Sequence, residues 1–215
     1  MSAARAVLWD MDGTLIDSEN LHWISWRDTM ADEGFALTEE QFLSSFGQRN
    51  DAIIAGWLGV AATPEVVERI GNAKEEGYRH LVRTKGISAL PGVVQWVRAL
   101  YKRGWVQAIA SSAPRPNVDV VLDALAAAGA FQGVVSAEDV RRGKPDPEVY
   151  LTAAARLGVS PGRCIVVEDA VAGIANHIAK FWTRRMRQKL AAHGEAGLDE
   201  LPREALRRLA AQTVS

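Results

Sequence analysis

Ala6-Val7-Leu8-Trp9-Asp10-Met11-Asp12-Gly13-Thr14 is the stretch from which the fold can be read. Four apolar residues in a row suit a short buried strand, and the run stops at two aspartates spaced two apart, a glycine and a hydroxyl. The same grammar recurs downstream. Trp105 to Ala110 reads as a strand ending in Ser111-Ser112. Gly133 to Ser136 reads as a third strand, leading to a loop with Gly143-Lys144-Pro145. Cys164 to Val167 reads as a fourth, ending in Glu168-Asp169. Helical patterns separate these runs, at Val118 to Ala128 before Gly129 and at Pro147 to Leu157 before Gly158. Strands alternating with helices predict an α/β fold, a Rossmann-like parallel sheet covered on both faces.

Between the first strand and the second the chain changes character. From Ser18 to about Thr84 it reads as helix throughout, with Leu21, Ile24 and Trp26, then Phe42 and Phe46, then Ile53, Ile54, Trp57 and Leu58 at helical spacings. Thr63-Pro64-Glu65 is a helix start. Leu90-Pro91-Gly92 then punctuates the chain and opens a helix through Leu100. The expected organisation is a core of residues 1–17 and 86–215 with a helical cap inserted at 18–85.

Right-handed crossovers in a parallel sheet bring the C-terminal ends of its strands to one edge, where open α/β sheets bind ligands. Asp10 and Asp12, Ser111 and Ser112, Lys144, and Glu168 and Asp169 are therefore expected on a single rim. Each has a plainer reading alone: an Asx turn, a helix N-cap, a solvated loop charge, acids at a helix N-terminus. Four such coincidences at four successive strand ends favour a site. Carboxylates gathered on one edge repel one another unless a hard cation sits among them, and an oxygen-only donor set suits Mg²⁺ rather than zinc. With an adjacent lysine and hydroxyl, such a centre can hold a phosphate and stabilise an in-line displacement. One carboxylate can act as nucleophile, and a second, two residues on, as general acid/base. No Gly-x-x-x-x-Gly-Lys-Ser/Thr loop is present, which argues against a nucleoside-triphosphate machine.

Asp10-Met11-Asp12-Gly13-Thr14-Leu15-Ile16-Asp17-Ser18-Glu19 resembles the first motif of the haloacid dehalogenase superfamily. Ser111 in Ala108-Ile109-Ala110-Ser111-Ser112 resembles the second, Lys144 the third, and Glu168-Asp169 the fourth. The nearest group in pattern is the β-phosphoglucomutase-like phosphatases, whose helical cap follows the first motif. The resemblance implies Asp10 as nucleophile, Asp12 as general acid/base, and Ser111 and Lys144 on the phosphoryl group. It also implies Mg²⁺ on Asp10, the backbone carbonyl of Asp12, and Asp169, with Glu168 nearby. In the cap, His22, the Phe46-Gly47-Gln48-Arg49-Asn50 stretch and Lys74 resemble positions that face substrate. His22 equally suits a packed structural histidine. Arg49 suits bidentate recognition of a second phosphate or acidic group, or plain surface exposure. Lys74, followed by Glu75 and Glu76, also reads as a solvated helix charge. The cap tryptophans Trp23, Trp26 and Trp57 read as core. The expected activity is hydrolysis of a small phosphorylated metabolite, a sugar phosphate above all. A phosphosugar mutase is the alternative, and a catalytically impaired binding protein a further one. Dehalogenase chemistry is disfavoured by Asp12.

The 215 residues carry a formal net charge of −1 and one cysteine, Cys164. That balance gives no global field for nucleic acid or anionic membranes, and a lone cysteine suits a reducing compartment, so a cytoplasmic, monomeric enzyme is expected. After Ile174 the pattern departs from the family. Residues 176–193 carry Lys180, Arg184, Arg185, Arg187 and Lys189, with no acid between Asp169 and Glu195 and no β-branched run for a fifth strand. The C-terminal edge is thus atypical, and three readings stay open: a basic helix for an anionic surface, a helix covering the sheet, or a local change of coding frame. Family-like sequence is expected to resume at Gly197-Leu198-Asp199-Glu200-Leu201-Pro202.

Overall fold

Strand β1 (Ala6–Trp9) is buried along its whole length and pairs in parallel on both sides, with β2 (Val106–Ala110) and with β4 (Cys164–Val167). Strand β3 (Gly133–Val135) adds in parallel to β2, giving the order β3-β2-β1-β4 among the residues described by this computed structural model, 4–125, 128–144 and 146–169. The expected helix after Asp169 and the basic segment 176–193 lie outside those residues.

Alternation along β1 sorts its side chains into two layers, as a pleated strand must. Val7 and Trp9 face α5 (Val93–Lys102) and α6 (Arg115–Ala124), in a cluster with Val97, Ile109, Val118 and Val121. Ala6 and Leu8 face α7 (Glu148–Arg156), in a cluster with Val149, Tyr150, Ala153 and Ala154. The sheet is therefore covered on both faces, as predicted. One polar group crosses the first layer. Gln107 is fully buried, accepts a hydrogen bond from the Trp9 indole at 3.0 Å, and donates to the carbonyls of Val97 at 2.9 Å and Ala130 at 3.4 Å.

The segment between β1 and β2 forms a helical cap: α1 (Glu19–Asp32), α2 (Glu39–Ser45), α3 (Asn50–Leu58) and α4 (Pro64–Lys85). It has its own core, with Trp26, Met30, Phe42, Ile53, Ile54 and Ile70 buried together and Trp23 and Trp57 packed against them. Thr38 caps α2 in a reciprocal capping box with Gln41, and Thr63 caps α4 just before Pro64. The long helix α4 presents Ile70, Lys74, Tyr78 and Val82 inward at four-residue intervals, so it is the spine against which α1 and, from the core, α6 pack. Helix α6 starts at Arg115, three residues before the expected Val118, because Pro116 occupies the first turn, where a missing N–H costs nothing.

Candidate active site

The sheet ladder runs one residue past its strands: the Asp10 N–H donates to the Val167 carbonyl and the Ser111 N–H to that of Val135, both at 2.9 Å. Beyond that point the chain turns sharply. Leu15 N–H and Ile16 N–H return to the Met11 carbonyl, at 2.8 and 3.2 Å, while Gly13 takes φ 77°. A side chain at Gly13 would also collide with the Asp169 carboxylate, so this position needs glycine on both grounds. Thr14 Oγ1 donates to Asp169 Oδ1 at 3.1 Å across the same gap.

Asp10, Lys144, Glu168 and Asp169 meet at this edge. Lys144 Nζ lies 2.5 Å from Asp10 Oδ1 and 2.8 Å from Glu168 Oε2. Tyr150, from α7, donates its hydroxyl to the same Glu168 oxygen and lies under the Lys144 ammonium, 5.2 Å from ring centre to Nζ. Burial raises the Asp10 carboxyl well above the usual carboxylate range, Lys144 opposes it, and the neighbouring Glu168 adds to it. Asp169 is raised by burial and by Glu168. Although burial works against its charge, Asp10 and Glu168 hold the Lys144 ammonium well above its ordinary value. One carboxylate oxygen from each of Asp10, Glu168 and Asp169 lies within 4.8 Å of the others. This all-oxygen set, short of positive charge, fits a hard divalent cation.

Asp12 is held differently. Ser18 Oγ donates to its Oδ1 at 2.7 Å, and His22 Nε2 lies 3.1 Å from the same oxygen. On the other side of the ring, Lys74 Nζ lies 2.9 Å from His22 Nδ1. An ammonium only donates, so Nδ1 accepts and the ring proton sits on Nε2, facing Asp12. Burial pushes the Asp12 carboxyl up, but His22, Ser18 and Lys74 together bring it below the ordinary range. The His22 ring stacks on Tyr78, 4.1 Å between centroids and 9° between planes. Lys74 is buried and paired at 2.9 Å with Glu75, which also accepts from Asn50 at 2.8 Å and, across the joint with the core, from Asn117 of α6. Lys74 is therefore no solvated helix charge.

The remaining expected residues divide. Ser112 lines the cavity between cap and core, and its buried hydroxyl has no hydrogen-bond partner among the described residues. Ser111 is buried beside it and accepts the Ala113 N–H at 3.0 Å, which shapes the turn. Arg49 departs from the expectation that it faces substrate. It lines an adjoining groove that shares Asn50, Glu75 and Ser112 with the cavity, with Nη1 3.1 Å from the Ala137 carbonyl and 3.4 Å from that of Val140, and its stem fills the space that a side chain at Gly143 would need. The guanidinium reaches those carbonyls because Gly143 leaves it a path. Tyr150, Glu75 and Asn117 were not singled out in the sequence. The periodic Ile70, Lys74, Tyr78, Val82 stripe was the available sign that this face of α4 turns inward.

The haloacid dehalogenase-like hydrolase family matches residues 4–175. The chain belongs to that family. Hexitol phosphatase B of Escherichia coli (strain K12) is 34% identical over 191 residues, 84% of this chain and 84% of its own. Validoxylamine A 7'-phosphate phosphatase of Streptomyces hygroscopicus subsp. limoneus is 31% identical over 170 residues, 79% of each chain. Among solved structures, a mutant CbbY from Rhodobacter sphaeroides in complex with xylulose-(1,5)bisphosphate superposes with a TM-score of 0.73 at 26% identity, covering 81% of both chains. A second family, the NADH-dependant formate dehydrogenase delta subunit FdsD, matches residues 167–206. The hydrolase match stops at residue 175, so Gly197 to Pro202 fall within the second match and not the first.

Proposed function

We propose that this haloacid dehalogenase-like hydrolase is a Mg²⁺-dependent phosphomonoesterase that removes phosphate from a small phosphorylated metabolite, a sugar phosphate above all. The observation that carries this reading is the meeting of three segments at one edge, with carboxylate oxygens of Asp10, Glu168 and Asp169 within 4.8 Å of one another and Lys144 paired to Asp10 and Glu168. Asp10, Glu168, Asp169 and the backbone carbonyl of Asp12 would hold the cation, which supplies charge stabilisation to the phosphoryl oxygens. The relatives named for phosphatase activity support the same reaction class.

The chain's own groups account for both halves of the reaction. An Asp10 carboxylate oxygen attacks phosphorus, the bond from phosphorus to the alcohol oxygen breaks, and Asp12 delivers a proton to that leaving oxygen. Asp12 then takes a proton from water as the water oxygen attacks phosphorus, releasing inorganic phosphate and free Asp10. Lys144 neutralises phosphoryl oxygens during both displacements, and the Ser112 hydroxyl supplies a donor with no competing partner. His22 and Ser18 both donate to Asp12 Oδ1, which fixes the carboxyl and leaves Oδ2 to carry the proton.

A panel of metabolite phosphates with Mg²⁺, with released phosphate measured, tests the proposal. Release that is lost in Asp10→Asn supports it. No release from any compound counts against it. Supplying β-glucose 1-phosphate with catalytic glucose 1,6-bisphosphate, and comparing glucose 6-phosphate with free phosphate, separates hydrolysis from phosphoryl return to the sugar.

A further inference from the structure

The cap end of the cavity carries charge that cancels internally. Among its described lining residues the only lysine or arginine is Lys74, and its neighbour Glu75 is the only cap carboxylate. Lys74 is fully engaged: Nζ lies 2.9 Å from Glu75 Oε1 and 2.9 Å from His22 Nδ1, and faces the Trp26 ring at 5.1 Å. Glu75 takes donors from Lys74, Asn50 and Asn117; burial pushes its carboxyl up, and Lys74 above all, with His22 and Asn50, brings it below the ordinary range. Arg49, the cap cation best shaped for a second anion, is turned onto the carbonyls of Ala137 and Val140. Arg141 and Arg142 line a separate open groove beside it, with Arg142 paired to Asp146 and Glu148. The rest of the cap lining is neutral, with aromatic faces from Trp26, Phe42 and Phe46 and hydrogen-bonding groups from Ser45, Gln48 and Asn50.

A substrate with a second anionic group would find no unengaged cation among the described residues that line the cavity, since Lys74 is already paired with Glu75. Desolvating a charge without a partner is costly. A neutral polyhydroxylated group meets no such penalty, since its hydroxyls can bond to the amides and its C–H faces lie on the rings. We infer that Glu75, by engaging Lys74, makes this pocket selective for phosphate monoesters of neutral, hydroxylated alcohols, and against bisphosphates and phosphorylated carboxylic acids. The inference deepens the phosphatase reading above and rests on it for turnover, but it also makes a claim about binding alone. It separates this chain from the relative whose complex contains a bisphosphate.

The test uses the full chain with Mg²⁺ and three probes: mannitol 1-phosphate, fructose 1,6-bisphosphate and phosphoglycolate. Wild-type kcat/KM is expected to be at least about tenfold higher for mannitol 1-phosphate than for either competitor, each of which carries a second anionic group. Glu75→Gln, which leaves Lys74 uncompensated, is expected to shrink that ratio by about tenfold, mainly by tightening the bisphosphate. Calorimetric binding to Asp10→Asn should follow the same order without turnover. Equal or reversed wild-type preference, in turnover or in binding, overturns the inference while leaving the phosphatase reading in place. Absence of turnover on every probe, with the binding order as stated, overturns the phosphatase reading and leaves the selectivity standing. Because the wild-type protein decides the question, a Glu75→Gln chain that failed to fold would not rescue the inference from a contrary result.

Discussion

At Gly13 the backbone turns with a positive φ and passes directly against the Asp169 carboxylate. Gly13→Ala is therefore expected to lower stability by about 1–3 kcal/mol and to displace a metal-side carboxylate, which denaturant melts and phosphate release would report together. Asp10→Asn should act oppositely on the two readouts. Removing the attacking oxygen is expected to cut turnover by roughly 10⁴-fold or more, while melting temperature holds or rises, since a carboxylate leaves a crowded buried cluster. At this scale the sequence was most readable where residue type and strand end coincided, as at Asp10, Lys144 and Asp169. It was least readable where a side chain's role depends on what lies across the joint. Glu75 reads as part of a surface run with Glu76 until Asn117 of α6 is seen to reach it. Arg49 has the same ambiguity, because only the folded loop reveals that two carbonyls and the gap at Gly143 lie in its path.

Among the elements, the turn after β3 connects cap and core. Its carbonyls at Ala137 and Val140 receive Arg49, and its shape is kept by Asp139, which accepts from Ser136 and from Arg156 of α7. The Arg156 guanidinium beside it, with Ser136, holds the Asp139 carboxyl down to about 2. A carboxyl depressed on folding contributes stability that is complete above its unfolded value near 4 and lost as pH falls through about 2. Arg156 is partly exposed, so solvent screens the pair. Asp139→Asn should thus cost about 1 kcal/mol at pH 7 and close to nothing near pH 2, measured by urea midpoints at both values. Arg49→Ala removes this cap-to-core contact. It is expected to lower kcat/KM by about tenfold for all substrates alike, because the cap is then held less firmly against the core whatever the alcohol, and a change confined to bisphosphates would contradict this. The strands were legible as apolar runs that end in polar residues, and the cap as an unbroken helical pattern. Helix α6 was placed late because its first turn contains Pro116, which reads as loop until its position at the helix start is known.

Across the whole molecule, the proposed cation at the sheet-edge carboxylates would couple binding to stability. A ligand that binds only the folded state adds RT ln(1 + [L]/Kd), about 2.7 kcal/mol at a hundredfold excess over Kd. Mg²⁺ is therefore expected to raise the melting temperature by several degrees, and a chelator to reverse the rise and abolish phosphate release. Asp169→Asn should blunt both effects. The chain also has two family likenesses in sequence. The hydrolase pattern ends at residue 175, and a likeness to the formate dehydrogenase delta subunit spans 167–206, the region where composition turns basic. That region was read in the sequence as departing from the hydrolase family, and the second match gives the departure a counterpart. No helix among the described residues is long and apolar enough to cross a membrane.

Gln107 lies at the far end of β2 from the reacting groups, yet it constrains them. Its amide satisfies the Trp9 indole and two carbonyls only when Val7 stands opposite Gln107 and Trp9 opposite Ile109. Sliding β2 by one residue would swing the amide to the other face of the sheet, strand those partners in an apolar layer, and carry Ser111 and Ser112 about 3.3 Å away from Asp10. A side chain remote from the sheet's polar edge thus acts as the gauge by which Asp10 and the two strand-end serines are spaced.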